Sequence, residues 1–192
     1  MPPARPEVSI RIYGNRALRT LPGEATRPTP SRVRAALFNI WQTRVRGAHW
    51  LDLCSGSGAM AAEALCRGAA RVIATEQSTP AARLVESNCR PLVGEAQQFE
   101  LRKGDIRRSL AGLQGQPFDL VYFDPPYDSD LYAAVLPLLI QLELLSPDAE
   151  ICCEQRSSRT LDPVAGLECY RIKAYGSTSL SFWRPQPLVP GT

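Results

Sequence analysis

The stretch L-D-L-C-S-G-S-G-A at residues 51–59 decides how the rest of the chain is interpreted. It closes an apolar segment, HWLDLC at 49–54, and leads into a run of small residues at 59–67 that suits a helix. Gly56 and Gly58 permit a tight turn and a close approach of the backbone to a ligand. A strand, a glycine turn and a helix in this order favour a nucleotide-type binding site, although a tight turn without a ligand has the same local pattern.

Strands and helices alternate after this turn. The predicted strands cover 49–54, 71–76, 99–105, 118–124 and 149–155, and the predicted helices cover 59–67, 79–90, 107–113 and 130–142. Such alternation favours an α/β fold with a mostly parallel sheet, right-handed crossovers and helices on both faces. Two more strands, 168–175 and 179–184, are joined by the short link Gly176-Ser177, which predicts an antiparallel hairpin at the sheet edge. The sequence therefore predicts a Rossmann-like sheet of seven strands.

The first 46 residues are predicted to form a small extension, followed by the α/β domain over residues 47–192. Residues 8–21 alternate loosely around Gly14-Asn15, which predicts a short hairpin. A helix is predicted over 31–44, with Thr29, Pro30 or Ser31 as its cap.

Charge is distributed unevenly along the chain. The whole sequence carries a formal charge of +3, whereas residues 1–50 hold nine arginines, two glutamates and no lysine, which gives +7 and leaves −4 for the remainder. Arginine forks bind phosphates and base edges, so this segment predicts contact with a polyanion such as RNA. A solvated extension is the alternative interpretation.

Composition excludes several classes of protein. Apolar residues make up 44% of the 192 residues, which suits one folded domain, and no apolar run approaches the ~20 residues that span a bilayer. The N-terminus lacks the apolar segment of a secretory signal. The six cysteines show no C-x-x-C pair, so free thiols in a reducing cytoplasm are expected. A single histidine, His49, disfavours a histidine-based metal site, so we expect no bound metal. We also expect the protein to be a monomer.

Acids near the glycine turn discriminate between cofactors. Glu76 ends the next strand, close to the ~20-residue offset at which an acid binds a ribose hydroxyl. Asp52 lies inside the strand before the turn, where it would repel a pyrophosphate but attract a cationic methionine moiety, unless it only holds the loop. Asp105 follows the third strand, where it can accept from an adenine amine or cap a helix. These positions favour S-adenosylmethionine over a nicotinamide cofactor.

A second motif, F-D-L-V-Y-F-D-P-P-Y-D at 118–128, ends the fourth strand in a rigid turn. Asp124 lies at the carboxyl edge, where open α/β sheets bind ligands. An acid beside a backbone carbonyl can bind both hydrogens of an exocyclic amine, and Tyr127 offers a ring for stacking an unstacked base. The motif predicts methyl transfer to an amine on a planar ring, with Asp124 taking the proton. The alternative is a simple strand end, with Asp124 as a cap and Tyr127 in the core.

Together, D-L-C-S-G-S-G-A (52–59) and D-P-P-Y (124–127) resemble the motifs of class I S-adenosylmethionine-dependent amino-methyltransferases. Three more segments resemble the RsmD family in the same order along the chain: R-I-Y-G-N-R-A-L-R-T (11–20), R-P-T-P-S-R-V-R-A-A-L-F-N (27–39) and Y-G-S-T-S-L-S-F (175–182). The resemblance implies a cytoplasmic enzyme that methylates the N2 amine of one guanine in 16S ribosomal RNA, on an assembled or nearly assembled small subunit. Ala35 stands where the family pattern has Glu, which leaves the role of that position open.

The residues and the resemblance together predict three sets of site residues. The cofactor-binding set is Asp52, Cys54, Ser55, Gly56, Ser57, Gly58, Glu76, Gln77, Asp105 and Ile106. The catalytic set, which would hold the guanine, is Asp124, Pro125 and Tyr127. The RNA-binding set is Arg11, Arg16, Arg19, Arg27, Thr29, Arg32 and Arg34.

Other functions remain open on the sequence. D-P-P-Y also resembles adenine-N6 and cytosine-N4 DNA methyltransferases, although 192 residues leave little room for a DNA target-recognition domain. Protein-glutamine methyltransferases have Asn at the first position of this motif. A nicotinamide oxidoreductase would use the same glycine turn, and a non-catalytic RNA-binding assembly factor would keep the whole fold.

Overall fold

The computed structural model describes residues 9–20 and 31–186. Its strands are β1 (Ser9–Ile12), β2 (Arg16–Arg19), β3 (His49–Leu53), β4 (Arg71–Glu76), β5 (Gln98–Lys103), β6 (Phe118–Phe123), β7 (Leu145–Arg156), β8 (Leu167–Tyr175) and β9 (Thr178–Pro185). Its α-helices are α1 (Ser31–Ile40), α2 (Ala59–Cys66), α3 (Thr79–Cys89), α4 (Ile106–Ala111) and α5 (Leu131–Gln141). Single turns of 3₁₀-helix occur at Tyr13–Asn15 and Arg90–Leu92.

The main sheet has seven strands in the order β5-β4-β3-β6-β7-β9-β8. Strands β3 to β7 pair in parallel, whereas β9 pairs antiparallel with both β7 and β8. From β3 the chain first adds β4 and β5 on one side and then β6 and β7 on the other. The order therefore reverses between β3 and β6, which is where open α/β sheets form a ligand crevice at their carboxyl edge.

Helices cover both faces of this sheet because residues of each parallel strand alternate between two apolar cores. One core contains Trp50, Val72 and Leu120 together with apolar residues of α1, α2 and α3. The other contains the intervening strand residues and the apolar side of α4 and α5. The predicted class I α/β fold, with seven strands and an antiparallel C-terminal hairpin, is confirmed. Of the two hairpin strands, β8 is the one at the edge of the sheet, because β9 lies between β7 and β8.

The N-terminal segment packs onto the sheet rather than standing apart from it. Strands β1 and β2 form the predicted hairpin, with Ile12 and Leu18 buried in the first core. Phe38 of α1 stacks on Trp50 of β3 at a centroid distance of 5.3 Å. Helix α1 ends at Ile40, earlier than predicted, and of the proposed caps Thr29 and Pro30 lie outside the described residues. The division at residue 46/47 stays a prediction, and the described residues on its two sides share one core.

Candidate active site

The turn after β3 is held in left-handed backbone conformations. Cys54, Gly56 and Gly58 have φ angles of 63°, 56° and 75°. A Cβ on Gly58 would lie 3.2 Å from Val85 of α3, so this glycine lets α2 and α3 pack closely. A Cβ on Gly56 would meet no described atom within 4 Å. The first glycine therefore faces open space on the ligand side, and the second serves packing.

Asp52 is buried beneath this turn, with 1% of its surface exposed. Its Oδ2 accepts a hydrogen bond from the Ala61 backbone N–H at 2.9 Å, which ties β3 to the start of α2. Its Oδ1 is buried and has no hydrogen-bond partner within the described residues. Burial, with a smaller contribution from Glu76, raises the pKa of Asp52 to about 7. The structural role considered for Asp52 is confirmed, and its direct contact with a ligand stays a prediction.

Glu76 at the end of β4 connects the glycine turn to the next helix. Its Oε2 accepts from the Gly56 N–H at 2.8 Å and its Oε1 from the Ser78 N–H at 2.7 Å. Its backbone carbonyl accepts from the Gly104 N–H at 2.9 Å, which brings the end of β5 alongside. Each carboxylate oxygen has more than one acceptor position, so these bonds leave capacity for a ribose hydroxyl.

Asp105 caps helix α4. Its Oδ1 accepts from the N–H groups of Arg107 and Arg108 at 3.0 and 3.2 Å, which leaves Oδ2 for a ligand. The helix-cap role proposed for it is confirmed, and the adenine contact stays a prediction. Ile106 next to it is buried in the second core, whereas Gln77 after β4 is exposed.

Asp124 lies across the crevice from the glycine turn, one residue past β6. Its N–H contacts the Leu53 carbonyl of β3 at 3.4 Å. Burial, reinforced by the negative charges of Glu154 and Asp52, raises its pKa well above the ordinary aspartate value. The pKa of Cys54 is raised by burial and by the nearby carboxylates of Glu76, Asp124 and Asp52. These acids therefore converge around the end of β3, as the topology requires.

Tyr127 is held in place by the strands beyond β6. Its hydroxyl lies 3.3 Å from both Glu154 Oε1 and Thr178 Oγ1. Arg156 covers its ring with the guanidinium carbon 5.4 Å from the centroid. Arg159 donates to the Tyr127 and Ser129 carbonyls and fixes the loop that follows the prolines. A base that stacks on this ring must therefore use the face that Arg156 does not cover.

Glu154 of β7 is a site residue that the sequence analysis missed. It is 2% exposed and its Oε2 accepts from the Tyr122 hydroxyl at 2.5 Å, in addition to the Tyr127 contact. Its backbone carbonyl accepts from the Tyr132 hydroxyl, also at 2.5 Å. The available signal was an acid inside the apolar run A-E-I-C-C-E-Q (149–155), the same kind of signal that identified Asp52.

The predicted RNA-binding residues occupy different environments. Arg11, Arg16 and Arg19 of the hairpin and Arg32 of α1 are exposed, and Arg27 and Thr29 lie outside the described residues. Arg34 is 4% exposed, and its Nε donates to Glu63 Oε2 at 2.7 Å. The expected RNA contact of Arg34 is therefore corrected to a buried ion pair, which offsets the cost of burying both charges.

Neither a metal centre nor a membrane-spanning helix is found in the part of the chain that the structure describes. The described residues contain no cluster of His, Cys, Asp and Glu able to hold a metal ion. None of their helices is long and apolar enough to cross a membrane. All six cysteines are free, and three of them are buried.

Two observations support the fit of S-adenosylmethionine to the residues around the glycine turn. The unpaired Oδ1 of Asp52 is a buried anionic acceptor that suits a cationic group, and the open space beside Gly56 leaves the turn accessible to a ligand. The solved structure of yhhF from Escherichia coli, described as a candidate methyltransferase, superposes with a TM-score of 0.75 at 28% identity, over 93% of this chain and 99% of that one. Fold and site together define a class I methyltransferase.

Sequence relatives narrow this class. A family model described as Conserved hypothetical protein 95 matches residues 10–184. A Haemophilus influenzae relative, named ribosomal RNA small subunit methyltransferase D, is 32% identical over 184 residues, covering 89% of this chain and 95% of the relative. The Escherichia coli K12 protein of the same name is 29% identical over 188 residues, covering 91% and 89%. The chain belongs to the Conserved hypothetical protein 95 family, the RsmD family of the predicted resemblance.

Proposed function

We propose that this protein transfers a methyl group from S-adenosylmethionine to the N2 amine of a guanine in 16S ribosomal RNA. The observation that carries the proposal is the half-buried Asp124 at the end of β6, next to the glycine turn that follows the neighbouring strand β3. The family relatives named for small-subunit RNA methylation support RNA as the substrate. The choice of guanine N2 rests on the family resemblance.

The cofactor would lie along the carboxyl edges of β3, β4 and β5. Asp52 Oδ1 would bind its ammonium group, Glu76 its ribose and Asp105 Oδ2 its adenine amine. When bound, the cofactor would supply an electrophilic methyl group on a sulfonium sulfur, which would leave as the neutral thioether once the amine nitrogen has taken the methyl group. The positive charges of this ligand would also favour ionisation of Asp52, whose pKa burial raises to about 7.

Asp124 and Pro125 would position the amine. The Asp124 carboxylate and the Pro125 carbonyl would accept the two amine hydrogens and aim the nitrogen at the methyl group. Asp124 would then take the proton that the methylated nitrogen loses. Its raised pKa suits this role, because a carboxylate of raised pKa is a stronger base. Tyr127 would stack on the guanine, which must leave its helical stack to enter the crevice.

The deciding experiment maps methylguanosine in 16S ribosomal RNA by mass spectrometry, in cells with and without the gene. We expect one N2-methylguanosine to disappear without the gene and to return with the wild-type gene but not with Asp124→Ala. Methylated adenine in place of guanine would favour the adenine-N6 alternative. Normal methylation in the deletion strain would contradict the proposal. Tritiated cofactor assays on naked RNA and on purified subunits would separate these two substrates.

The exposed arginines of the hairpin and α1 are proposed to contact RNA phosphates. Alanine at Arg11, Arg16 or Arg32 should flatten the dependence of RNA affinity on salt by about one counterion each. Arg34→Ala is the matched control from the same segment. It should lower thermal stability, since Arg34 is buried against Glu63, but leave the salt slope unchanged. If all four variants kept the wild-type salt slope, the arginine-rich N-terminal segment would be a solvated extension instead.

The remaining parts of the proposal concern the cellular setting. We propose a cytoplasmic monomer that acts on the small ribosomal subunit or its late assembly intermediate. The assembly-factor alternative would keep RNA binding without turnover. Calorimetric binding of a nicotinamide cofactor, with none of S-adenosylhomocysteine, would favour the oxidoreductase alternative instead.

A further inference from the structure

Tyr13, at the tip of the β1–β2 hairpin, is an exposed aromatic residue in a strongly basic setting. Its side chain is 53% exposed, and Ile172 is the other large apolar residue exposed to this degree in the described part of the chain. Arg11 and Arg16, on either side of it, are exposed as well. The tip of the hairpin therefore presents part of an aromatic ring to solvent between two positive charges.

The ring is mounted on a layered stack that reaches into the core. The guanidinium carbon of Arg67 lies 4.6 Å from the Tyr13 ring centroid and 4.8 Å from that of Phe38. Phe38 is fully buried and itself stacks on Trp50 at 5.3 Å. The stack thus runs from Trp50 through Phe38 and Arg67 to Tyr13, whose ring ends it at the surface.

One buried ion pair and one partly buried ion pair, both to Glu63, hold this stack in place. Arg67 donates through Nε and Nη2 to Glu63 Oε1 at 3.1 and 2.8 Å. Arg34 donates to the other oxygen of Glu63 and, through Nη2, to the Arg11 carbonyl of the hairpin at 2.5 Å. The network fixes both the guanidinium beneath the ring and the strand that leads to it. A ring positioned in this way loses little conformational entropy when a ligand stacks on it.

We propose that Tyr13 is a stacking platform for an unpaired base of the RNA substrate, outside the crevice that receives the methylated base. A planar base would extend the existing stack by one layer over the exposed ring. The surrounding arginines would bind its flanking phosphates. The inference rests on the proposed RNA substrate and assigns to the hairpin a contact with a base as well as with the backbone.

The test measures affinity for 16S ribosomal RNA at several salt concentrations, for wild type, Tyr13→Ala, Tyr13→Phe and Ile172→Ala. Stacking contributes about 1–3 kcal/mol per base, so Tyr13→Ala should weaken binding roughly 5- to 150-fold. Tyr13→Phe should bind like wild type, and so should Ile172→Ala, which removes a comparably exposed side chain on β8. The salt slope should stay unchanged in Tyr13→Ala, because no charge is lost.

Wild-type affinity in Tyr13→Ala would overturn the inference, as would equal losses in Tyr13→Ala and Tyr13→Phe. Thermal denaturation and S-adenosylhomocysteine binding serve as folding controls. If Tyr13→Ala fails to fold, Tyr13→Leu keeps apolar contact but no aromatic face, and full affinity in that variant would count against stacking. RNA that binds with this pattern but is never methylated would refute the proposed function and leave the platform intact.

Discussion

The site contains two pairs of acids, each with one buried and one half-buried member, that are stabilised in different ways. Asp52 and Glu76, on β3 and β4, accept hydrogen bonds from backbone N–H groups of the glycine turn and the helices that follow. Asp124 and Glu154 lie beyond β6 and on β7, and Glu154 is bound by tyrosine hydroxyls. The first pair shapes the backbone that would hold the cofactor. In the second pair, Glu154 fixes tyrosine side chains at the place where the base would bind.

The difference indicates that two parts of the same carboxyl edge serve different purposes. One part would bind the cofactor, and the other would carry out methyl transfer. The backbone donors of the first pair lie in the glycine turn and at the starts of the helices that follow β3 and β4, so pairing of these two neighbouring strands is enough to position this pair. The phenol donors come from β6, from the loop after it and from α5, and all three meet Glu154 on β7. The second pair should therefore respond to substitution mainly in turnover, and the first mainly in cofactor affinity and stability.

The sharpest test of this separation is Asp124→Ala. We expect kcat to fall by about 10²–10⁴-fold, because the variant loses both the amine acceptor and the base. Binding of S-adenosylhomocysteine, measured by calorimetry, should change little. Asp128→Ala is the matched control, since Asp128 is exposed and only pairs with Arg156 on the surface. Unaltered turnover in Asp124→Ala would remove this residue from the mechanism.

Asp52→Asn should stabilise the free protein at neutral and alkaline pH. The pKa of Asp52 is about 7 in the folded state against 3.8 for the ordinary group, so folding becomes less favourable as pH rises from about 4 to about 7. An amide has no such titration, and its oxygen can still accept from Ala61. The free energy of unfolding of the variant should exceed that of wild type by about 1–4 kcal/mol above pH 7.

Urea denaturation at pH 4 and pH 8 checks this prediction, because the difference should vanish at the lower pH. Asp119→Asn is the control. Asp119 accepts from the His49 N–H at 2.8 Å, at the end of the sheet away from the site. The difference in the free energy of unfolding between Asp119→Asn and wild type should not show this dependence on pH. A variant that is less stable than wild type at pH 8 would contradict the prediction. It would show that the hydrogen bond of the Asp52 carboxylate stabilises the fold by more than burial of its charge destabilises it.

The same Asp52→Asn variant should bind the cofactor more weakly. Loss of a charge-assisted hydrogen bond costs about 1.5–3 kcal/mol, which corresponds to roughly 10- to 150-fold in affinity. Wild-type affinity for S-adenosylhomocysteine should also fall as pH drops below about 7, since Asp52 then becomes protonated in the free protein. Calorimetry across this pH range should give a flatter curve for the variant, and parallel curves would refute the ammonium contact.

The smallest expected effect concerns Glu154→Gln. The negative charge of Glu154 helps to raise the pKa of Asp124, so its removal should lower that pKa. The acidic limb of the profile of kcat against pH should shift to lower pH, with cofactor affinity unchanged. Glu150→Gln, four residues earlier on the same strand and paired with Trp41 and Arg44, is the control. An unshifted limb would leave Glu154 with a purely structural role.

Much of the fold and of the first acid pair was predictable from sequence. Apolar periodicity located the strands and helices, and glycine spacing located the turn, because both patterns are local. The buried ion pair of Arg34 was not predictable in this way. The arginine-rich composition of the segment suggested solvent or RNA for this side chain, whereas its partner, Glu63, lies 29 residues away on α2.

The sequence by itself determined the parallel α/β fold, the position of the glycine turn and the placement of Asp124 at a rigid strand end. These features depend on residue periodicity, on glycine and proline geometry and on the rule that ligands bind at the carboxyl edge. Only the tertiary structure decided which acids are buried and which side chains form hydrogen bonds with them. That outcome depends on contacts between residues distant in the chain, such as Glu154 with Tyr122 and Arg67 with Tyr13, which no local pattern encodes.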